Sequence, residues 1–281
     1  MSKFVLIDGH SILNRAFYGV PIFTNSEGLH TNAVFGFLNI MFKIIDSKQP
    51  DYMAVAFDVH QPTFRHEMFK DYKGTRKPMM EELREQVPVI KELLQKMNIT
   101  TVELPGYEAD DVIGTLSKEG EKAGMEVDVI SGDRDLLQLA SDHITICIPK
   151  TKKGQTTVEE YNTEGVKELY KVTPTEFIDV KALMGDSSDN IPGVPGIGEK
   201  GATAIISQFG SIENAYDHAD EIFNTRNRNA LLNNYEMAQM SKTLATINIQ
   251  SPVEVTPEQC KLEDIYTEDA LEMIKRLEFK S

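Results

Sequence analysis

The 281-residue chain lacks the signals of several common protein classes. It has two cysteines, Cys147 and Cys260, and no CxxC spacing, which excludes a disulfide framework and argues against structural zinc. No stretch approaches the roughly 18 consecutive apolar residues of a membrane span. The opening MSKFVLIDGHS meets a charge at Asp8 before a signal-peptide apolar segment could form, so an intracellular, soluble protein is expected. None of the six histidines stands in HExxH, GxxxxGK[ST] is absent, and no GxGxxG follows the first apolar run. These absences argue against a zinc hydrolase, a P-loop ATPase and a dinucleotide site. Positive charge is also short: 29 Lys and Arg stand against 44 Asp and Glu, a formal net charge of -15. By itself that balance opposes a nonspecific nucleic-acid binder.

What is present alternates. Apolar runs at Phe4–Asp8, Met53–Asp58, Thr101–Leu104, Val127–Ile130 and Ile144–Ile148 read as buried strands. Helical spacing predicts helices from about Ser11, over Ala33–Ser47, Glu82–Asn98 and Ala109–Ala123, with a short one at Asp133–Ala140. Such alternation implies βαβ crossovers. Beyond about residue 160 the strand signal fades, and Glu160–Tyr170, Pro174–Met184, Glu199–Phe209, Asn227–Leu244 and roughly Thr267–Leu277 read as helices. The expected architecture is an α/β core over about 1–160, with a mostly parallel central sheet flanked by helices, then a helical region over about 161–281.

Acidic residues collect at the strand ends. Asp8 ends the first strand, Asp58 the second, and Asp133 and Asp135 follow Val127–Ile130 in SGDRD. Glu108, Asp110 and Asp111 sit in GYEADD, where the chain enters a helix. One aspartate there is ordinarily a helix cap, and EADD alone suits the positive end of a helix dipole. In an open parallel sheet, however, sites form outside the carboxyl ends of strands, so these carboxylates are expected to converge. So many would repel unless divalent cations neutralised them. Oxygen-only ligation favours Mg²⁺ or Mn²⁺, and two ions about 4 Å apart are usual for phosphodiester hydrolysis.

The segment GDSSDNIPGVPGIGEKGA adds Asp186 and Asp189, then places Gly193, Gly196 and Gly198 in a tight turn between helices. Exposed backbone N–H groups there can hold a phosphate backbone without reading bases; the plainer reading is a structural αα-turn. Basic residues concentrate in Arg65, Lys70, Lys73, Arg76 and Lys77, against Glu67 and Asp71, interleaved with Phe64, Phe69 and Tyr72. That window suits a clamp on a single-stranded end, or a solvated loop. Arg15 and Lys73 are the candidates for stabilising developing charge. Lys150, Lys152 and Lys153 read as a surface hairpin, His10 and His60 as supporting groups or bystanders, and both cysteines as inert.

Taken together, LIDGHSILNRAFY, FDVHQPTFRHEMFKDYKGTRKPMMEEL, PGYEADDVIGTL, SGDRDLLQL and LMGDSSDNIPGVPGIGEKGA span essentially the whole chain. In this order they resemble the 5′-nuclease (flap endonuclease-like) family, and within it the N-terminal 5′–3′ exonuclease domains of bacterial DNA polymerases. The resemblance implies that Asp8, Asp58, Glu108 and Asp110 hold a catalytic metal, and that Asp111, Asp133, Asp135, Asp186 and Asp189 form a second cluster, some acting through water. It implies Lys73 and Arg76 at the scissile phosphate and Arg15 near the 5′ side. It further implies Arg65, Lys70, Tyr72, Lys77, Lys181, Gly193, Gly196, Gly198 and Lys200 as DNA contacts. A PIN-like nuclease core, a helical arch over about 65–97, and a helix-hairpin-helix (H3TH-like) motif over about 185–209 with a bound K⁺ complete the implied picture. His10 departs from it, standing where small or amide side chains are common, and Gly74–Thr75 falls where members vary.

The implied substrates are DNA with a 5′ flap or a 5′ end next to duplex, and RNA primer in RNA–DNA hybrid. Cleavage would leave a 5′-phosphate and a 3′-hydroxyl, with structure rather than sequence recognised. The implied setting is the bacterial cytoplasm, in primer removal and repair, either as a monomer or fused to a polymerase domain. Two rival readings are a non-catalytic structure-specific DNA-binding module, whose carboxylates would only repel DNA, and a carboxylate-rich phosphomonoesterase, which needs neither the glycine turn nor the basic window. On the nuclease reading much of the negative charge belongs to a metal site, and DNA affinity without metal is expected to be weak and strongly salt-dependent.

Overall fold

The computed structural model describes residues 1–152 and 155–279, so Lys153 of the basic run lies outside the described residues. Six strands, β1 (Lys3–Asp8), β2 (Tyr52–Ala56), β3 (Thr100–Val102), β4 (Glu126–Ile130), β5 (Ile144–Lys152) and β6 (Gln155–Tyr161), form one sheet in the order β3-β2-β1-β4-β5-β6. The first five are parallel and β6 returns antiparallel to β5, which makes the sheet mixed.

The helices are α1 (Gly9–Gly19), α2 (Asn32–Lys48), α3 (Phe64–Met68), α4 (Glu81–Arg84), α5 (Gln86–Lys96), α6 (Ala109–Lys122), α7 (Thr163–Tyr170), α8 (Pro174–Met184), α9 (Glu199–Phe209), α10 (Ile212–Asp217), α11 (Thr225–Asn233), α12 (Tyr235–Ala245) and α13 (Glu268–Leu277).

The central strands are apolar on both faces because helices cover both. Phe4, Leu6, Val127 and Val129 face a core shared with α6, α8, α9 and α12. Their neighbours Val5, Ile7, Met53 and Val55 face the other core, with α1, α2, α5 and α13. Strand alternation therefore sorts one short sequence into two cores.

The starts of the site-bearing helices are written locally. Asp8 caps α1, accepting from Ser11 N, and Glu108 and Asp111 form a capping box at α6. In α8, Thr173 and Glu176 do the same around Pro174 at the first turn. The cap of α13 is Thr267, with acids in its first turn and Lys275 and Arg276 in its last.

Several expectations are corrected. The stretch expected to be helical from Glu160 begins as β6, and α7 starts only after the Asn162 cap. That strand is an edge with mostly polar residues, so it carries little of the buried-strand pattern. The helix expected over Glu82–Asn98 is split into α4 and α5, and that over Asn227–Leu244 into α11 and α12. Asp133–Ala140 contains a 3₁₀ turn, Arg134–Leu139.

Of the stretch expected as an arch over about 65–97, α5 buries Ile90, Leu93 and Leu94 in the core shared with α2 and α13. Nor does packing divide the chain at 161. The tail crosses back, Tyr52 bridging Lys261 and Thr267 Oγ1 donating to Lys96 O at 2.5 Å, and seats α13 on the α/β core. No helix among the described residues is long and apolar enough to cross a membrane.

The turn between α8 and α9 is set by backbone-to-backbone approach. Gly193 has φ +62°, and a Cβ there would lie 2.4 Å from Gly185 N, whereas one at Gly198 would meet nothing within 4 Å. Gly193→Ala should therefore cost about 1–3 kcal/mol through strain and displaced backbone. It should lower the melting temperature by several degrees, while Gly198→Ala leaves it nearly unchanged; differential scanning calorimetry of both variants measures the contrast.

Candidate active site

Parallel pairing delivers the strand ends to one place. Asp8 lies opposite Ala56, and Ile7 opposite Ile130, so Asp58, two residues past β2, and Asp133, three past β4, emerge beside Asp8. Asp8 Oδ2 accepts from Ser131 Oγ at 2.8 Å, and Asp58 Oδ1 accepts from Ala109 N at 2.8 Å, which docks the start of α6 against β2. Asp110, in the first turn of α6, thereby joins the group.

Burial, reinforced by Asp58 and Asp133, pushes the Asp8 carboxyl up to about 7. Burial followed by Asp133, Asp8, Glu108 and Asp58 holds Asp110 well above the usual carboxylate range. Burial also raises Asp133, against the hydrogen bond from Asp135 N.

A second set lies alongside. Carboxylate oxygens of Asp135, Asp186 and Asp189 can come within 4.8 Å of one another. Lys181 Nζ sits between Asp135 at 3.0 Å and Asp186 at 2.9 Å. Although burial opposes it, the Ser188 hydroxyl and Lys181 keep Asp186 below the usual range. Burial and then Asp133 carry Asp135 to about 7 despite Lys181.

Glu108 receives Tyr72 Oη at 3.0 Å and an ion pair from Lys73, and Arg76 pairs with Asp189. Lys73 is brought there by strained backbone: its φ is +56°, and its N–H donates to Asp189 O at 2.8 Å. The neighbouring Asn190, at φ +55°, donates to Asp71 O at 2.7 Å, so the 71–76 and 188–190 loops lock together. Left-handed non-glycine residues cost of order 1–3 kcal/mol and persist where the surroundings over-determine them.

Four of the expected site residues make contacts inside the protein. Asp111 is fully buried and held by Arg65 at 2.8 Å through both carboxylate oxygens, on the far side of Arg65 from the Lys73 contact of Glu108. Arg65 is 2% exposed inside that ion pair, so it offers no face to phosphate. Tyr72 is buried with its ring edge-on to His66, enclosed instead of free to stack on a base. Lys181 is engaged by two carboxylates of the second set.

Arg15 donates to Thr151 Oγ1 at 2.6 Å, toward the β5–β6 hairpin and not the carboxylates, and Lys150 in that hairpin pairs with Glu159 at 2.7 Å. Lys70, Lys77, Gly196, Gly198 and Lys200 are exposed, and Gly193 is buried with its N–H donating to Ser241 Oγ at 2.9 Å. His10 Nδ1 accepts from Asp58 N at 3.2 Å, a supporting place; His60 is exposed. Ser131, Ser241 and Gln138, whose Oε1 accepts from Ile247 N at 2.9 Å, escaped the sequence reading. Only Ser131, inside SGDRD, carried a signal.

The donors are all oxygens, and the mutual elevation of Asp8, Asp110 and Asp133 is what a site built for added positive charge shows. The residues fit hard divalent cations.

Two family profiles match the chain: "5′-3′ exonuclease, N-terminal resolvase-like domain" over residues 3–171, and "5′-3′ exonuclease, C-terminal SAM fold" over 172–268. DNA polymerase I of Bacillus caldotenax is 48% identical over 279 residues, covering 99% of this chain and 32% of the polymerase. DNA polymerase I of Bacillus subtilis matches at the same identity and coverage. The chain thus spans about a third of the length of these relatives. In the solved structures, a bacteriophage T5 flap endonuclease in a pseudo-enzyme–product complex with DNA and metal ions superposes with a TM-score of 0.71, covering 97% of this chain and 99% of its own, at 24% identity. That likeness shows the fold.

The raised carboxyls predict a proton–metal exchange. A group whose folded pKa is raised stabilises the fold at low pH, and that contribution is lost as pH rises from its ordinary value through about 7. A divalent ion must displace the same protons. The rise in melting temperature produced by Mg²⁺ should therefore be larger at pH 8 than at pH 6, with a lower half-saturating concentration. Equal shifts at both pH values would refute the assignment.

Proposed function

The chain belongs to the 5′-3′ exonuclease family, and we propose that it is a structure-specific, divalent-metal-dependent 5′–3′ exonuclease and 5′-flap endonuclease acting on DNA. The observation that carries this reading is the convergence of Asp8, Asp58, Asp110 and Asp133 beyond adjacent parallel strands, with Lys73 and Arg76 at the rim. A phosphomonoesterase has no use for the two-loop lock that holds those cations or for the glycine turn beside them.

Asp8, Asp58, Glu108 and Asp110 would hold one Mg²⁺ or Mn²⁺, and Asp135, Asp186 and Asp189 a second, with Asp133 between the two sets. Bound there, the ions supply Lewis-acid stabilisation of the phosphate and a more acidic water. Lys73 and Arg76 place positive charge where the scissile phosphate gathers negative charge. Lys70 and Lys77 hold the 5′ strand by its backbone, and Gly196, Gly198 and Lys200 hold the duplex from the α8–α9 turn, which acts as a helix-hairpin-helix with a K⁺. Backbone contacts make the specificity one of shape, so RNA annealed to DNA is cut as well. Attack at phosphorus would release a 3′-hydroxyl and leave a 5′-phosphate. The naming of its relatives as DNA polymerases I of bacteria supports a cytoplasmic role beside a polymerase module in primer removal and repair.

A 5′-flap oligonucleotide with and without Mg²⁺ tests the reading. Cleavage should require the ion, and Asp110→Ala should lose at least about 10³-fold in kcat, the worth of several kcal/mol of metal-assisted stabilisation. Binding without metal-dependent cleavage would instead establish the non-catalytic module.

A further inference from the structure

Arg65 stands first in the basic window, yet its five donors are all in use. Nε donates to Leu244 O at 2.9 Å. Nη1 donates to Glu108 Oε2 at 2.5 Å and Asp111 Oδ2 at 2.8 Å, and Nη2 to Asp111 Oδ1 and Thr246 O, both at 2.8 Å. A guanidinium has five N–H groups, so nothing remains for a phosphate. The two carbonyls lie at the C-terminal end of α12, where helix carbonyls lack internal partners and a cation is favoured.

The frame is closed from the other side. Asp111 also accepts from Glu108 N at 2.9 Å and from Asn248 N at 2.9 Å. The side chain of Glu108 is therefore fixed between a guanidinium that cannot turn and the Tyr72 hydroxyl, with its second oxygen toward Lys73.

Resting on the nuclease reading above, we propose that Arg65 is a positioning residue for the reaction: by joining α3, α6 and the end of α12 it sets the orientation of the Glu108 carboxylate toward the metal site, and it makes no contact with DNA. Partners behind a ligand commonly tune metal affinity by about 10–100-fold. Lysine cannot replace it, because one ammonium cannot reproduce the planar fork that grips Asp111 while reaching two carbonyls.

Arg65→Lys and Asp111→Asn in the full chain test this. Three readouts are needed: half-saturating Mn²⁺ for thermal stabilisation of the DNA-free protein, kcat, and KM for a 5′-flap substrate at two salt concentrations. Both variants should raise half-saturating Mn²⁺ about 10–100-fold and lower kcat at least tenfold, with KM and its salt slope unchanged. A raised KM with a shallower salt slope and intact kcat would make Arg65 a phosphate contact and overturn the proposal. So would a lower melting temperature with unchanged kcat and Mn²⁺ midpoint, the mark of a plain structural brace. Should Arg65→Lys fail to fold, Asp111→Asn decides by the same readouts. Absence of metal-dependent cleavage by the unaltered chain would instead defeat the nuclease reading itself.

Discussion

Repulsion among buried carboxylates at the carboxyl ends of the central strands is the constraint around which the rest is arranged. Two unit charges about 4 Å apart at an effective dielectric near 20 interact with roughly 4 kcal/mol, a large fraction of the stability of an ordinary domain. The protein meets this cost in two different ways. Glu108, Asp186 and Asp189 are given fixed cations, Lys73, Lys181 and Arg76. Asp8, Asp110 and Asp133 are not: Asp8 has the Ser131 hydroxyl and Asp133 the Asp135 N–H. The pKa directions divide along this line, with Glu108 and Asp186 lowered and Asp8, Asp110 and Asp133 raised. Asp135 falls on the raised side although Lys181 touches it, because burial and the neighbouring Asp133 outweigh one shared ammonium. The uncompensated half is thus where added positive charge relieves the most repulsion.

Much of this was legible in the residues. Strand ends are marked where an apolar run stops, and parallel pairing is implied by the alternation with helices, so the convergence of Asp8, Asp58 and Asp133 follows from the order of apolar runs and helices. What was not legible depends on contacts far apart in sequence. Whether Arg65 faces water or Asp111 is decided by the α12 end, 179 residues away for Leu244, and no local spacing encodes that. The same holds for α13, whose cap and charge pattern announce a helix but not that its apolar face returns to Leu93 and Phe37. The β6 strand was hidden for the opposite reason, since an exposed edge with little apolar content lacks the pattern that marks buried strands.

Nor does counting charge along the sequence show where each cation of the basic window is directed. Of Arg65, Lys70, Lys73, Arg76 and Lys77, the structure turns Arg65, Lys73 and Arg76 onto carboxylates of the site. Their charge balances carboxylates of the site, with Arg76 still half exposed at its rim. Lys70 and Lys77 remain outward, and Lys200 lies outward at the start of α9. A chain of net charge -15 can therefore present cations on two separate elements beside the cluster, one on the 70–77 loop and one beyond the glycine turn. Because the 71–76 and 188–190 loops are bonded to each other, the backbone that carries Lys73 and Arg76 is held against the second acidic set. A polyanion meets attraction only where that geometry suits it, and the acidity of the remaining surface works against every other mode of binding. On the proposed nuclease reading the average charge would suppress nonspecific association, while the outward Lys70, Lys77 and Lys200 and the bound ions would supply local attraction for a correctly shaped substrate.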